Sequence, residues 1–358
     1  MTLIASSWRG RDSLRMYRQM GLLDLFMRRK TFSHGGVYPV EHKELTADRA
    51  IRRLSFPPQL VIPLSQHKGA PAVPLVTRGQ EVVRGEPVAK AGGFVSVPMH
   101  APATGRIRDI TLWPTAEGPK SDAILLDVYE AATQEVLYGA AVDVLSLPPD
   151  EIVRAVQDAG LVGLGGAAFP SHVKMKAPEG RHVDTLVVNG CECEPYLTCD
   201  HRVMLEQTDQ LILGIRIAMR ATGASRAMIG VEDNKMSSVA AIRAKLPEDG
   251  TITVQAVETK YPQGAEKMLI ESLIGKQVPE GGLPLDVGVA VYNVGTLAQM
   301  GELLPQGRGL IERVITVSGP AIEKPGNYLV PLGTPVSFIL NEVGTTTEGN
   351  EVILGGPM

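Results

Sequence analysis

The alternation of short apolar runs with helix-length segments between about residues 150 and 300 most limits the folds open to this chain. The apolar runs lie at 186–188, 228–231, 251–258 and 287–294, and helical patterns of about ten residues or more separate them. Strands that alternate with helices need crossover connections, so the pattern predicts an α/β unit with a mostly parallel sheet. Ligands on such sheets bind beyond the carboxyl ends of the strands, which is where we expect the chemistry.

Patterns typical of β-structure flank this central region. Between about residues 60 and 110, short valine-rich runs are separated by glycine turns, which predicts a compact β unit of sandwich or barrel type. This unit resembles the barrel-sandwich fold of biotinyl and lipoyl carrier domains. From residue 312 onward the pattern is again that of short strands. We therefore predict β, α/β and β domains with the bounds 35–135, 136–300 and 301–358.

Composition excludes several classes of protein. With 44% hydrophobic and 21% charged residues and a net charge of −4, the chain is predicted to be globular and not a general nucleic-acid binder. Three cysteines exclude both a disulfide framework and a complete four-cysteine iron–sulfur site. No apolar run is long enough for a membrane span and no signal peptide opens the sequence, so we expect a cytoplasmic protein.

The first thirty residues are basic, with seven cations against two anions. Leucine, methionine and aromatic residues lie among these charges, roughly on one side of a helix. A basic amphipathic helix suits a membrane surface or a groove on a partner subunit. We therefore interpret residues 1–34 as a docking segment, and an unstructured N-terminal arm is the alternative.

A loop with almost no side chains follows the first predicted helix of the central region. It runs GLVGLGGAAFPSHVKM from residue 160 to residue 175 and contains Gly163, Gly165 and Gly166. Such a loop lets backbone amides approach a phosphate or a flat ring closely. Its spacing satisfies a loose dinucleotide fingerprint, but a helix precedes it where that fingerprint requires a strand. The loop is therefore interpreted either as part of a ligand-binding site or as a simple turn of the chain, and not as an ordinary nucleotide-binding crossover.

Polar side chains follow the next strands. The segment 187–204 contains Asn189, Glu192, Glu194 and three cysteines; their spacing matches no common zinc pattern, so free buried thiols are expected. Two further strand ends carry polar residues that helix capping alone would also explain. Four such loops at one edge of one sheet predict a single composite site. The residues at the two further strand ends are Tyr261, Gly264 and Glu266, and then Asn293 and Thr296.

Six ordered motifs together resemble a known family. They are GLGGAAFP, NGCECEP, GVEDNK, TKYPQGAEKML, GKQVP and YNVGTLA. The chain resembles the C subunit of the Rnf ion-translocating electron-transport complex and, more distantly, the flavoprotein subunit of respiratory complex I. The resemblance implies a non-covalent FMN that accepts hydride from NADH and passes electrons singly to iron–sulfur centres. It also implies a barrel-sandwich unit, a Rossmann-like flavin-binding sheet and a β-grasp module, in that order.

The resemblance assigns roles to individual residues. Glu194 and Glu266 would be catalytic, Phe169 would stack on the nicotinamide or adenine ring, and Lys174 would face phosphate. Cys191 stands where the complex I protein has an acidic residue and Ala265 replaces a glutamate, so the sequence departs from the pattern at two places. The remaining implied contacts of FMN and NAD(H) are Gly163, Gly165, Gly166, Asn189, Glu192, Tyr261, Gly264, Asn293 and Thr296.

The resemblance thus predicts an NADH-oxidising input subunit, peripheral on the cytoplasmic side of the bacterial inner membrane. Its partners would be the other Rnf subunits and, indirectly, ferredoxin or flavodoxin. The family continues into a ferredoxin-like region with two sets of four cysteines for [4Fe–4S] clusters, which this sequence lacks. Either the sequence is a portion of a longer chain, or electrons leave through clusters on another subunit. One alternative is the cobalamin reductase of diol-utilising microcompartments. The other is a flavin-free scaffold, which the departures at Cys191 and Ala265 favour.

Overall fold

The computed structural model describes residues 3–6, 30–115, 118–346 and 351–358. Most of the predicted docking segment, residues 7–29, lies outside the described residues. Residues 3–6 form a strand within the C-terminal sheet. Among the described residues, no helix combines the length and the apolar character that crossing a bilayer requires.

An N-terminal β unit is built from short antiparallel strands in two small sheets. The sheet orders are β3-β9-β8-β5 and β4-β6-β7. Inward-facing residues of different strands, such as Leu60, Ile107 and Leu126, are fully buried in a common core. This arrangement agrees with the predicted β unit. The strands of the chain up to residue 128 are β1 (Leu3–Ser6), β2 (Arg52–Arg53), β3 (Gln59–Pro63), β4 (Val73–Pro74), β5 (Glu81–Val82), β6 (Pro87–Lys90), β7 (Met99–His100), β8 (Gly105–Pro114) and β9 (Lys120–Val128).

The central unit is a four-stranded sheet in which all neighbouring strands are parallel, in the order β12-β11-β10-β13. Val188 packs into the core on one face and Val187 into the core on the other, as a sheet covered by helices on both sides requires. The elements are α1 (Pro149–Asp158), α2 (Ser171–Met175), β10 (Thr185–Gly190), α3 (Cys199–Glu206), α4 (Thr208–Thr222), β11 (Arg226–Glu232), α5 (Met236–Arg243), β12 (Ile252–Val257), α6 (Glu266–Ile274), β13 (Val289–Asn293) and α7 (Val294–Leu303).

One helix differs between the sequence-based prediction and the structure. The sequence predicts one long helix over about 201–221, whereas the structure has α3 and α4 in its place. Gln207 lies between them with φ −121° and ψ 33°, outside the helical region. The change of direction leaves Cys199 and Asp200 at the start of a short helix beside the strand ends, which matters for the site.

The C-terminal unit is a five-stranded sheet in the order β16-β1-β14-β15-β2. Strands from both ends of the described chain therefore pair in one sheet, and a helix covers it by burying Ile339 and Val343 against Ile315 and Val317. The sequence predicts the β-rich character here but not the helix. The elements are β14 (Glu312–Ser318), β15 (Gly326–Pro331), α8 (Val336–Val343) and β16 (Glu351–Leu354).

Candidate functional site

A cavity of about 660 Å³ opens at the carboxyl ends of β10 and β13. Asn189 and Asn293, the last polar residues of these two strands, are direct partners in the parallel ladder. All three units contribute to the cavity wall, including Gln66 from the N-terminal β unit and Arg313 from β14. The predicted site residues that line the cavity are Gly163, Gly165, Gly166, Asn189, Glu192, Glu194, Tyr261, Gly264 and Asn293.

The glycine loop forms a bare wall of this cavity. A Cβ atom on Gly165 would lie 3.2 Å from the Cβ of Asn293, so the loop approaches the end of β13 closely. Gly166 has a φ of +132°, which favours glycine, and a Cβ there would meet no atom within 4 Å. Within the described ranges, the amides of Gly165 and Gly166 donate to no protein acceptor. Free amide donors beside open space fit a flat, acceptor-bearing ring such as that of a flavin.

Hydrogen bonds of Gly163 and Leu164 help to hold the glycine loop in place. The Gly163 amide donates to the carbonyl of Phe169 at 2.9 Å, and the Leu164 amide donates to the hydroxyl of Thr296 at 2.9 Å. Thr296 is fully buried at the start of α7. Thr296 therefore supports the loop from behind and does not line the cavity.

The two asparagines connect the loops that surround the cavity. Asn189 donates to the carbonyl of Gly264 at 2.8 Å and accepts from the Cys191 amide at 3.0 Å. Asn293 accepts from the Gly295 amide at 2.9 Å and donates to Asp200 at 2.6 Å. The helix-capping interpretation of Asn293 is therefore correct, and Asn293 also lines the cavity. One side chain serves both purposes because its oxygen and its nitrogen face different partners.

The acidic residues of the 187–204 loop have different environments. Glu192 is only 5% exposed, and its carboxylate accepts from the amides of Asp200 at 2.9 Å and His201 at 3.4 Å, at the start of α3. Its charge is thus stabilised by a helix N-terminus. Glu194 is half-buried and accepts from the Met358 amide at 3.1 Å, and desolvation raises its pKa. Glu194 is therefore the cavity carboxylate with more freedom to act on a ligand.

Lys43 is a supporting residue that the sequence analysis missed. Its ammonium group donates to three loop carbonyls, those of Glu192 at 2.8 Å, Glu194 at 2.7 Å and Leu197 at 2.7 Å. Lys43 is 8% exposed, and burial lowers its pKa. The side chain fixes the path of the acidic loop. No local pattern identifies Lys43, because it lies about 150 positions before its partners in an irregular segment.

A buried ion pair lies beneath the same loop. Glu232 and Lys235 are 0% and 3% exposed, and their charged atoms are 2.6 Å apart. Glu232 accepts from the Glu192 amide at 3.0 Å, and Lys235 donates to the Glu192 carbonyl at 3.4 Å. Burial acts to lower the pKa of Lys235, but Glu232 and Glu192 outweigh it and raise that pKa. The GVEDNK motif contains both residues, and the available signal was an acidic residue at the end of a buried strand with a lysine three positions later.

Three other predicted residues also lie outside the cavity wall. Lys174 pairs with Glu266 at 3.2 Å and donates to the carbonyl of Val291 at 3.3 Å, and both charged side chains are partly exposed. Phe169 is half-buried, and its carbonyl accepts from Gly163. These residues neighbour the cavity loops in sequence without lining the cavity.

The described cysteines are all free. Ligand atoms of Glu192, Cys199 and Asp200 lie within 4.8 Å of one another, which is close enough for a metal. However, burial raises the pKa of the Cys199 thiol strongly, and that thiol donates to the Glu192 carboxylate at 3.3 Å. Asn293 donates to the Asp200 carboxylate at 2.6 Å, so each of the three candidate ligands already has a hydrogen-bond partner in the protein. We therefore interpret this group as a hydrogen-bonded cluster, and Cys193 and His201 lie outside it.

Asp200 leads to a prediction about pH. Desolvation and the nearby Glu192 raise its pKa from the ordinary 3.8 to about 7, against the effects of Asn293 and Arg313. Between those two values the folded protein holds a proton that the unfolded chain has lost, so this contribution to stability falls as pH rises. Asp200→Asn should remove this contribution, and the stability of the variant relative to wild type should rise from pH 4 to pH 7 and then level off. Urea unfolding at several pH values measures this difference, and a constant difference would contradict the shifted pKa.

Comparisons with known proteins match each of the three units. The Nuo51 FMN-binding domain matches residues 156–302, the RnfC barrel sandwich hybrid domain matches residues 31–130, and the SLBB domain matches residues 314–358. Among solved structures, an NAD+-reducing [NiFe]-hydrogenase in the air-oxidized state superposes with a TM-score of 0.49 at 28% identity, over 55% of this chain and 39% of that chain.

Curated relatives match nearly the whole chain. The C subunit of the Na(+)-translocating ferredoxin:NAD(+) oxidoreductase complex of Acetobacterium woodii is 40% identical over 90% of this chain and 73% of its own length. The C subunit of the proton-translocating ferredoxin:NAD(+) oxidoreductase complex of Clostridium ljungdahlii is 41% identical, over 90% of this chain and 71% of its own length. The C subunit of the ion-translocating oxidoreductase complex of Citrobacter koseri is 36% identical, over 90% of this chain and 46% of its own length.

Proposed function

Because this chain belongs to the family of C subunits of Rnf-type ion-translocating oxidoreductases, we propose that it is the NADH-oxidising, FMN-binding input subunit of such a complex. The family resemblance seen in the motifs is confirmed, and so is the oxidoreductase class. The observation that carries the proposal is the cavity at the ends of β10 and β13, where the free amides of Gly165 and Gly166 lie beside Asn293. These residues fall within the stretch that matches an FMN-binding domain.

The residues of the cavity fit an FMN. When bound, FMN supplies the conversion of a two-electron hydride donor into single-electron transfers. The glycine loop, with Gly163 at its base, would hold the ring against the Asn189 and Asn293 side of the cavity. Tyr261 and Gly264 would close the edge of the site. Lys43 and the Glu232–Lys235 pair support this arrangement by fixing the acidic loop from below.

NADH would enter the same cavity, which at about 660 Å³ lies within the usual range for ligand sites. Glu194 would orient the pyridine ring through its carboxylate, which faces the cavity. Phe169 and Lys174 stay proposed contacts of the dinucleotide where it extends beyond the cavity wall, and Glu266, which pairs with Lys174, stays a proposed catalytic residue. Glu192 and Thr296 act through the loops that they anchor. The proposed fold in detail is a Rossmann-like flavin sheet between a barrel-sandwich unit and a β-grasp module.

A [4Fe–4S] cluster needs four cysteine thiolates, and this chain has three cysteines. Electrons would therefore leave FMN toward [4Fe–4S] clusters that are held by cysteines other than these three. The proposed partners are the other Rnf subunits, including the iron–sulfur and integral membrane subunits, with ferredoxin or flavodoxin as an indirect partner. The proposed location is the cytoplasmic side of the bacterial inner membrane, with docking through residues 1–30 or through partner subunits.

Anaerobic addition of NADH to the FMN-reconstituted protein tests the proposal. We expect FMN to bind with quenched fluorescence and its visible absorbance to bleach on addition of NADH. Protein that binds no FMN would instead favour the flavin-free scaffold. Bound FMN that NADH does not reduce would contradict the input function.

Glu194→Gln separates binding from chemistry. The substitution keeps the shape of the side chain but removes its charge and its proton-binding capacity, so we expect FMN affinity to be retained. Hydride transfer should slow by about 10²-fold, the lower end of the usual contribution of a positioned acid–base group. Stopped-flow absorbance measures the rate of flavin reduction by NADH. Unchanged reduction kinetics would reject the role of Glu194, and Glu248→Gln on the exposed surface serves as the control.

A further inference from the structure

Arg313 is a cation in the cavity wall whose hydrogen-bonding capacity is mostly unused. It lies on β14, in the C-terminal unit, and its Nη2 donates to the carbonyl of Leu164 at 3.0 Å. Its Nε is enclosed by protein atoms, whereas its Nη1 is not enclosed and donates to no acceptor among the described residues. Among the residues that the structure describes, no carboxylate lies within ion-pairing distance of Arg313. The unused nitrogen of a guanidinium in the cavity wall is therefore available to a ligand.

The acids nearest to this wall have partners of their own. The Asp200 carboxylate accepts from Asn293 at 2.6 Å, and the Glu192 carboxylate accepts from the amides at the start of α3. Arg313 influences Asp200 through space, but the two side chains do not form an ion pair. Arg313 is therefore not explained as the counterion of a protein carboxylate.

The position of Arg313 also favours a ligand contact. Its bond to Leu164 places the guanidinium beside the residue that precedes Gly165, where the free amides of the glycine loop begin. The guanidinium gives this part of the wall a positively charged, donating surface next to the amides that would face the flavin ring. Phosphate oxygens are the acceptors that such a surface binds best, because an arginine can offer them two parallel hydrogen bonds.

We propose that Arg313 binds a phosphate group of the ligand in this cavity, so that the C-terminal unit contributes directly to cofactor binding. The inference rests on the proposed function, which supplies two phosphate sources: the phosphomonoester of FMN and the pyrophosphate of NADH. Arg313 is then a specificity residue that distinguishes phosphorylated ligands from their dephosphorylated forms.

Binding measurements on Arg313→Gln test this role. Glutamine can still donate to the Leu164 carbonyl but lacks the charge. Loss of a charge-assisted hydrogen bond of about 1.5–3 kcal/mol corresponds to an affinity about 10- to 100-fold lower. Fluorescence quenching gives the dissociation constants of FMN and riboflavin, and equilibrium dialysis gives those of NADH and reduced nicotinamide riboside. The control is Arg308→Gln, because Arg308 also donates to one carbonyl, that of Val136 at 3.2 Å, but lies outside the cavity wall.

Weaker binding of FMN with unchanged binding of riboflavin assigns Arg313 to the FMN phosphate. Weaker binding of NADH alone, with the riboside unchanged, assigns it to the pyrophosphate. Equal losses for FMN and riboflavin would overturn the proposal, since Arg313 would then only position Leu164. Unchanged binding of every ligand would overturn it as well. If the wild-type protein binds neither flavin nor NADH, the proposed function itself fails, and that outcome is distinct from a loss confined to Arg313→Gln.

Discussion

Replacing Lys235 by methionine is expected to lower the free energy of unfolding by about 3–5 kcal/mol, because it leaves the fully buried Glu232 without its partner. The cost is that of an uncompensated charge, since Glu232 has no access to water. Glu232 also accepts from the Glu192 amide, so the loss extends to the acidic loop. Urea unfolding of the wild type and the variant at neutral pH measures the effect.

A surface lysine in the same region provides the control. Lys245 pairs with Asp209 at 3.0 Å, and both side chains are more than half exposed. Lys245→Met should change stability by less than about 1 kcal/mol, as is usual for exposed pairs. Adding Glu232→Gln to Lys235→Met should recover part of the loss by removing the stranded charge. Equal losses for Lys235→Met and Lys245→Met would contradict the account of this ion pair.

Lys43→Met is expected to weaken FMN binding by at least about tenfold. Without Lys43 the acidic loop would move so that its orphaned carbonyls reach water, and FMN binding would have to bury them again at a cost of about 1–3 kcal/mol each. The substitution removes the donor for three carbonyls of the acidic loop, those of Glu192, Glu194 and Leu197. Methionine keeps most of the apolar stem, so the change acts through the hydrogen bonds. Titration of the apo-protein with FMN, followed by fluorescence, measures the affinity.

The matched control for Lys43 is Lys276→Met. Lys276 also donates to a carbonyl, that of Val287 at 3.0 Å, but it lies on the surface away from the cavity. We expect its FMN affinity to equal that of the wild type. If Lys43→Met is folded and binds FMN as the wild type does, the loop does not depend on this lysine.

The sequence predicted the strand-end part of the site because that part depends on local patterns. Asn189 and Asn293 each follow an apolar run, and parallel strands place their carboxyl ends at one edge. The glycine loop was recognisable for the same reason, since its lack of side chains is a local property. The roles of Glu192 and Thr296 were harder to predict from the sequence, because their hydrogen-bond partners depend on where α3 and α7 begin.

What the sequence did not predict depends on contacts between distant segments. Lys43 meets its carbonyl partners across about 150 positions, and Arg313 reaches Leu164 from another unit. The N-terminal β unit also supplies His67 and His100 to the cavity wall, and burial lowers the pKa of His100 to about 4, so its ring is neutral near neutral pH. Periodicity and turn chemistry report on one segment at a time and carry no information on such docking.

The three units therefore share one site. The central sheet supplies the strand ends, the N-terminal unit supplies one wall, and β14 supplies Arg313. A site divided in this way depends on how the units pack, and interactions between units hold that packing. Arg84 of the N-terminal unit, for example, forms an ion pair with Glu312, the residue directly before Arg313.

An experimental structure of this chain with FMN bound tests the central claim most directly. We predict the isoalloxazine ring at the carboxyl ends of β10 and β13, against the amides of Gly165 and Gly166 and beside Asn293. A flavin bound elsewhere on the chain, with this cavity filled by protein side chains, would contradict the account.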